Sequence, residues 1–186
     1  MGSHLVIESV ASEEMLRSGA VAEDVAFVES FANADRRCEV LAWRAIVRRE
    51  LGEGVRIFYD EYGAPKVELP DTYISVSHSR GTVAVLFADS ACAVDIEQTN
   101  RDFRRVANRY LSQSEQALAE QYDIFAEMWC AKEALYKYYK KGRLDLVGHI
   151  SIGEYDGGVL RCSILGSEPI EVKVKREGNL AIAVIN

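Results

Sequence analysis

The chain is poor in the features that mark several whole classes of protein. It has three prolines, its four cysteines (Cys38, Cys92, Cys130 and Cys162) form no Cys-x-x-Cys pair, and it has no excess of basic residues. The wide cysteine spacing argues against a zinc site or a disulfide framework and fits four small buried thiols in a reducing cytoplasm. A net charge of −7 argues against a nucleic-acid binder, which normally carries a basic stripe, although it leaves room for a local basic pocket. No apolar run approaches the ~20 residues of a membrane span. No basic start precedes an apolar block at the N-terminus, so no signal peptide is expected.

What is present is an ordinary globular composition, 48% hydrophobic and 27% charged over 186 residues, enough for one domain or two small fused lobes. Leu5 to Val10 reads as a strand, and two modest helical patterns precede Ala32. Cys38, Leu41, Ala42, Ala45 and Ile46 recur at helical spacing and predict a helix over Asp35 to Leu51, stopped by Gly52 and Gly54. Strands follow at Val55 to Tyr59, Tyr73 to Ser77 and Thr82 to Ala88, with a turn at Glu61 to Pro65. Ala91 to Glu97 is expected to pair antiparallel with Thr82 to Ala88 across a turn at Asp89-Ser90.

The second half repeats that outline. Phe103 to Tyr110 and Gln113 to Tyr139 read as largely helical. Strands are expected near His149 to Tyr155, Val159 to Leu165, Pro169 to Lys175 and Leu180 to Ile185. Helix then strands, twice over, predicts an α+β fold built as a pseudo-dimer of two similar lobes, residues 1–89 and 90–186, without a linker, and a monomer.

Two constellations carry chemistry. The first is Asp95-Ile96-Glu97, followed later by Trp129 to Lys137. Residues two apart on a strand share a face, so Asp95 and Glu97 would point one way and Val94 and Ile96 into the core. Glu133 and Lys137 are four apart on a helix and share a face. Three carboxylates suit magnesium, and the lysine suits a nearby diphosphate. The plain alternative is solvated carboxylates and an ordinary helix ion pair. The second constellation is Ser75 to Gly81, where His78 lies between Ser77 and Ser79 and Arg80 follows. Such a segment can hold a phosphate. It can also be a plain polar turn. A Ser/His nucleophile pair is disfavoured, because adjacent residues rarely give that geometry and no Gly-x-Ser-x-Gly elbow is present.

Taken together these segments resemble the phosphopantetheinyl transferases of the surfactin-synthetase type. Trp129, Lys132, Glu133, Ala134 and Lys137 match that family's Trp-x-x-Lys-Glu-Ala-x-x-Lys helix, Asp95 and Glu97 its acidic strand pair, and Ser77-His78-Ser79 its turn. Tyr62-Gly63-x-Pro65 with Pro70-Asp71 looks like the adenine-side loop, and Arg109-Tyr110-Leu111-Ser112-x-x-Glu115 is similar to the lead into the motif helix. Ala93 stands where the family has glycine, Ala64 where many members have lysine, and Ser75 where asparagine is common.

The resemblance implies the phosphopantetheinyl transferase fold, with coenzyme A lying across the seam between the lobes. It implies Mg²⁺ on Asp95, Glu97 and Glu133, Glu133 as base and Lys137 at the leaving oxygen. His78, Ser77, Gly63, Pro65, Arg36 and Arg37 would bind coenzyme A, His78 at its 3′-phosphate; Arg36 and Arg37 read equally well as a solvated helix face. The product would be a holo acyl or peptidyl carrier protein, in fatty-acid, polyketide or peptide synthesis. Arg101, Arg104, Arg105 and Arg109 form a basic cluster that either meets this acidic partner or is a solvated face. The readings set against an active transferase are a non-catalytic coenzyme A or carrier-protein binding module of the same fold and a magnesium-dependent nucleotide diphosphate hydrolase.

Overall fold

The structure is a computed structural model and describes residues 2–139 and 142–186. The chain divides into two compact units, one ending at Ala91 and the other starting at Cys92.

The first unit opens with strand β1 (His4–Ser9) and helices α1 (Glu13–Gly19) and α2 (Ala22–Val28). Ser12 caps α1 by accepting a hydrogen bond from the Met15 amide, and Glu13 and Glu14 complement the dipole of its first turn. Helix α3 (Ala34–Leu51) starts under Asn33, whose side chain accepts from the Arg36 amide, and stops at Gly52, where φ is 104°. Strands β2 (Ile57–Tyr59) and β3 (Pro65–Val67) form a small hairpin. Strand β4 (Tyr73–Ser79) and strand β5 (Thr82–Ala88) form a second one. Ser79 faces Thr82 in that register, so the turn is Arg80-Gly81, both at positive φ, a two-residue hairpin turn whose twist matches the strands.

The second unit begins with strand β6 (Ala93–Gln98) and a 3-10 segment (Arg104–Arg109). Helix α4 (Gln113–Tyr122) carries a capping box in which Ser112 accepts from the Glu115 amide and Glu115 accepts from the Ser112 amide. Helix α5 (Phe125–Tyr139) follows. Strands β7 (Ile150–Asp156), β8 (Val159–Ile164), β9 (Ile170–Glu177) and β10 (Leu180–Ile185) complete an antiparallel sheet in the order β6-β10-β9-β8-β7. Its apolar side chains, with those of α5, build one core: Met128, Ala131, Leu135, Ile150, Leu160, Val172 and Ala183 are among its members. No helix among the described residues is long and apolar enough to cross a membrane.

Several expectations need correcting. Strand β5 does not pair with β6: both its edges are taken, by β1 and β4, while β6 pairs with β10. The segment 113–139 is largely helical as expected, and it divides into α4 and α5 because Asp123 adopts the left-handed conformation (φ 54°, ψ 46°) and ends α4. Ser77, His78 and Ser79 are the last residues of β4 rather than a turn. The turn near Gly63 is followed by β3, a short strand additional to those expected. Helix then strands does recur, but the sheets differ, β1-β5-β4 in one unit and five strands in the other.

Candidate active site

Strand β6 and helix α5 bring the acidic residues to one face. Asp95 and Glu97 lie opposite Ala183 and Ala181 of β10, and both alanines belong to the core beneath α5. The two carboxylates therefore stand on the helix-covered face of the sheet. Val94 and Ile96, on the opposite face, are buried core residues as expected, although they lie outside the cluster beneath α5.

Asp95 is 6% exposed. Its Oδ1 accepts from Lys137 Nζ at 2.8 Å, and the same ammonium donates to the Val94 carbonyl at 3.1 Å. Glu97 Oε1 accepts from Arg101 Nη1 at 2.7 Å. Glu133, one helical turn before Lys137, is partly buried. Burial raises its pKa, the negative charge of Asp95 raises it further, Lys137 opposes this, and Glu97 adds to it. Glu133 thus feels both strand carboxylates, and a cation would relieve the repulsion among them. Among the described residues no three His, Cys, Asp or Glu side chains are gathered tightly enough to hold a metal ion. The donor set is nonetheless the hard-oxygen kind that Mg²⁺ takes when it keeps waters and substrate phosphate as its other ligands. The residues fit the ion in chemistry and charge.

The first unit presents a separate polar corner on α3 and β4, in which Arg36 also pairs with Glu39 at 3.5 Å. Arg36 Nη1 lies 2.6 Å from His78 Nε2, and His78 Nδ1 lies 3.0 Å from Glu39 Oε2. Because a guanidinium only donates, this arrangement is satisfied by Nε2 accepting from Arg36 while Nδ1–H donates to Glu39. Arg36 and His78 are brought together. Arg37 is not with them: its fork binds both oxygens of Glu13 at 2.9 and 3.0 Å, and Nη1 reaches the carbonyls of Phe31 and Ala32. That pairing, with help from Arg17, lowers the Glu13 pKa to about 2. Arg37 ties α1 to α3. Strand alternation turns Ser77 to the buried face of β4, away from the imidazole. Gly63 lies in the β2–β3 turn and Pro65 opens β3; in the turn Asp60 Oδ1 accepts from the amides of Tyr62 and Ala64, and Gly63 has a φ of 79°.

Of the four arginines expected to form a basic patch, Arg101 lies over Phe103 and Trp129 and pairs with Glu97, while Arg104 lies over Phe125 and pairs with Glu120. Arg105 and Arg109 are exposed, and among the described residues neither makes an ion pair.

The sequence reading gave no role to Lys132, which is fully buried within the motif helix. Its ammonium donates to Glu115 Oε1 at 2.7 Å, to the Leu146 carbonyl at 2.8 Å and to the Ile150 carbonyl at 2.5 Å. The signals in the sequence are a lysine directly after Ala131 and two residues before Ala134 in an apolar helix, and the Ser-x-x-Glu box upstream.

The sequence pattern of the 4′-phosphopantetheinyl transferase superfamily matches residues 91–185, the stretch that holds Asp95, Glu97, Glu133 and Lys137. The chain belongs to this superfamily. It is similar to the 4′-phosphopantetheinyl transferase Sfp of Bacillus subtilis (strain 168), with 35% identity over 95 residues, covering 47% of this chain and 42% of the relative. The chain therefore matches less than half the length of that curated relative. The Arg36–His78 corner lies outside the matched superfamily stretch.

Proposed function

We propose that the protein transfers the 4′-phosphopantetheine group of coenzyme A to a serine of an acyl or peptidyl carrier protein and releases 3′,5′-ADP. The observation that carries this reading is the grouping of Glu133 with Asp95, Glu97 and Lys137 on the α5 face of β6, inside the region that matches the superfamily.

Asp95, Glu97 and Glu133 would hold Mg²⁺, which when bound supplies charge neutralisation at the diphosphate. The chain's own groups do the rest. Glu133, whose affinity for a proton is raised by burial and by Asp95, takes the proton from the carrier serine hydroxyl. The serine oxygen forms its bond to the β-phosphorus as the bond from that phosphorus to the bridging oxygen breaks. That oxygen leaves with 3′,5′-ADP. Lys137, which already sits on Asp95, offsets the charge that develops on it. Positioning and electrostatics supply most of the rate in such a transfer. Arg36 and His78 take the 3′-phosphate; Arg37 is committed to Glu13. The exposed Arg105 and Arg109 suit a carrier whose modified serine opens an acidic helix. A monomer in the cytoplasm fits this role.

The test is incubation with coenzyme A, Mg²⁺ and a panel of apo-carriers, read by intact mass. Addition of one phosphopantetheine to a carrier serine, dependent on all three components, is the expected result. Binding of coenzyme A without transfer would mark a non-catalytic module. Cleavage of the diphosphate without any carrier would mark a hydrolase.

A further inference from the structure

We infer that Glu115 and Lys132 are a positioning pair that sets the direction of Glu133; this rests on the transfer reading above. Lys132 has no exposed surface, and Glu115 is 3% exposed. The three donors of the Lys132 ammonium are all used, on Glu115 and on the carbonyls of Leu146 and Ile150. Glu115 is as fully engaged. Its Oε1 also accepts from the Ile152 amide at 2.7 Å, and its Oε2 accepts from the Ser112 amide at 2.7 Å. The pair thus joins the start of α4, the middle of α5, the segment before β7 and β7 itself.

Burying both charges is costly, and apolar residues of like volume often serve stability as well or better. An ion pair with three directed bonds adds an angular constraint to the roll that the apolar packing of Met128, Ala131 and Leu135 already gives α5. Successive helix residues are turned by about 100°, so a lysine locked inward on the sheet side of α5 dictates where its neighbour points. That neighbour is Glu133, whose carboxyl lies close enough to Asp95 and Glu97 to feel their charges. A slack pair would let Glu133 swing. Misplacement of a reacting group by about 1 Å is enough to cost roughly a hundredfold in rate.

The test compares two variants. Glu115→Asp keeps both charges and withdraws the carboxylate by one methylene. Leu160→Ala, or Val172→Ala if the first does not fold, destabilises the same core without touching the pair. Each is assayed well below its thermal midpoint. The expected result is that Glu115→Asp lowers kcat tenfold or more, leaves KM for coenzyme A within about threefold, and shrinks the extra thermal shift that Mg²⁺ gives to coenzyme A binding. The core variant keeps kcat at an equal loss of midpoint. A Glu115→Asp variant that retains wild-type kcat, or loses no more than the core variant, overturns the inference while the transfer reading stands. A wild-type chain that modifies no carrier overturns the transfer reading, and this inference with it.

Discussion

Lys137 Nζ and Asp95 Oδ1 are 2.8 Å apart, so the last-turn lysine of the motif helix rests on the first carboxylate of the motif strand. A lysine between a carboxylate and an incoming diphosphate has two partners to choose from. Were Asp95 to hold a divalent cation, Lys137 would be left to serve the phosphate oxygens. The arrangement makes the acidic cluster and the cationic end of the helix interdependent.

Replacing Glu133 by Gln keeps its size and removes both a metal-type ligand and the proposed base. Transfer is expected to fall by ~10²-fold or more while the fold is kept. Steady-state rates on purified protein, with circular dichroism as the folding control, check this. Near-wild-type turnover would remove Glu133 from the mechanism.

Coenzyme A should raise the thermal midpoint clearly more with Mg²⁺ than with EDTA, since a ligand that binds only the native state stabilises it by mass action. The repulsion that Glu133 feels from Asp95 and Glu97 is what the ion would relieve. Equal shifts in a melting experiment with and without the metal would mean that the carboxylates are not a magnesium site.

The two neighbouring arginines of α3 are expected to behave differently. On the proposed binding of the 3′-phosphate, Arg36→Ala and His78→Ala would each remove a contact remote from the reacting phosphorus. Each should raise KM for coenzyme A, leave kcat within a few-fold and weaken the preference over 3′-dephospho-coenzyme A. Arg37→Ala should lower the thermal midpoint through loss of the Glu13 and carbonyl contacts, without changing that preference. Kinetics with the two substrates separates these outcomes. An Arg37 variant that loses the preference as fully as the His78 variant would refute the assignment.

Much of this was readable in the sequence, and the failures have physical causes. The acidic strand, the motif helix and the glycine stop at Gly52 are local patterns, and each is found where the spacing put it. Strand partners are not local: Ala91 to Glu97 follows β5 closely in the chain, yet β1 and β4 fill both edges of β5. The break at Asp123 depends on one residue adopting a left-handed conformation, which helical periodicity does not report. Arg36 and Arg37 are indistinguishable by sequence, and their folded neighbours separate them: Glu13 and the Phe31 and Ala32 carbonyls for Arg37, His78 for Arg36. Lys132 looked like one more motif charge because burial is a property of the packed helix, not of the residue type.

The Glu13 carboxylate predicts a pH effect of known sign. Its folded pKa of about 2 lies below the ordinary value of 4.5, first because Arg37 and then because Arg17 donates to it. A depressed carboxylate contributes stability that is present above the unfolded value and is lost as pH falls through the folded one. Wild type should therefore melt above Glu13→Gln near neutral pH, and the gap should close between about pH 4.5 and about pH 2. Melting curves across that range check it. A gap that persists at the acid end would mean that Glu13 acts by packing rather than by charge.

The burial of Lys132 has a consequence for chemical probing. An ammonium with no exposed surface and three occupied donors can react with an acylating reagent only after its surroundings open. Exposed lysines such as Lys173 and Lys175 are modified directly from solvent. The delay of label at Lys132 behind those two, followed residue by residue, is thus a clock for the opening of the motif helix. It can be read in native buffer with the chain otherwise unaltered.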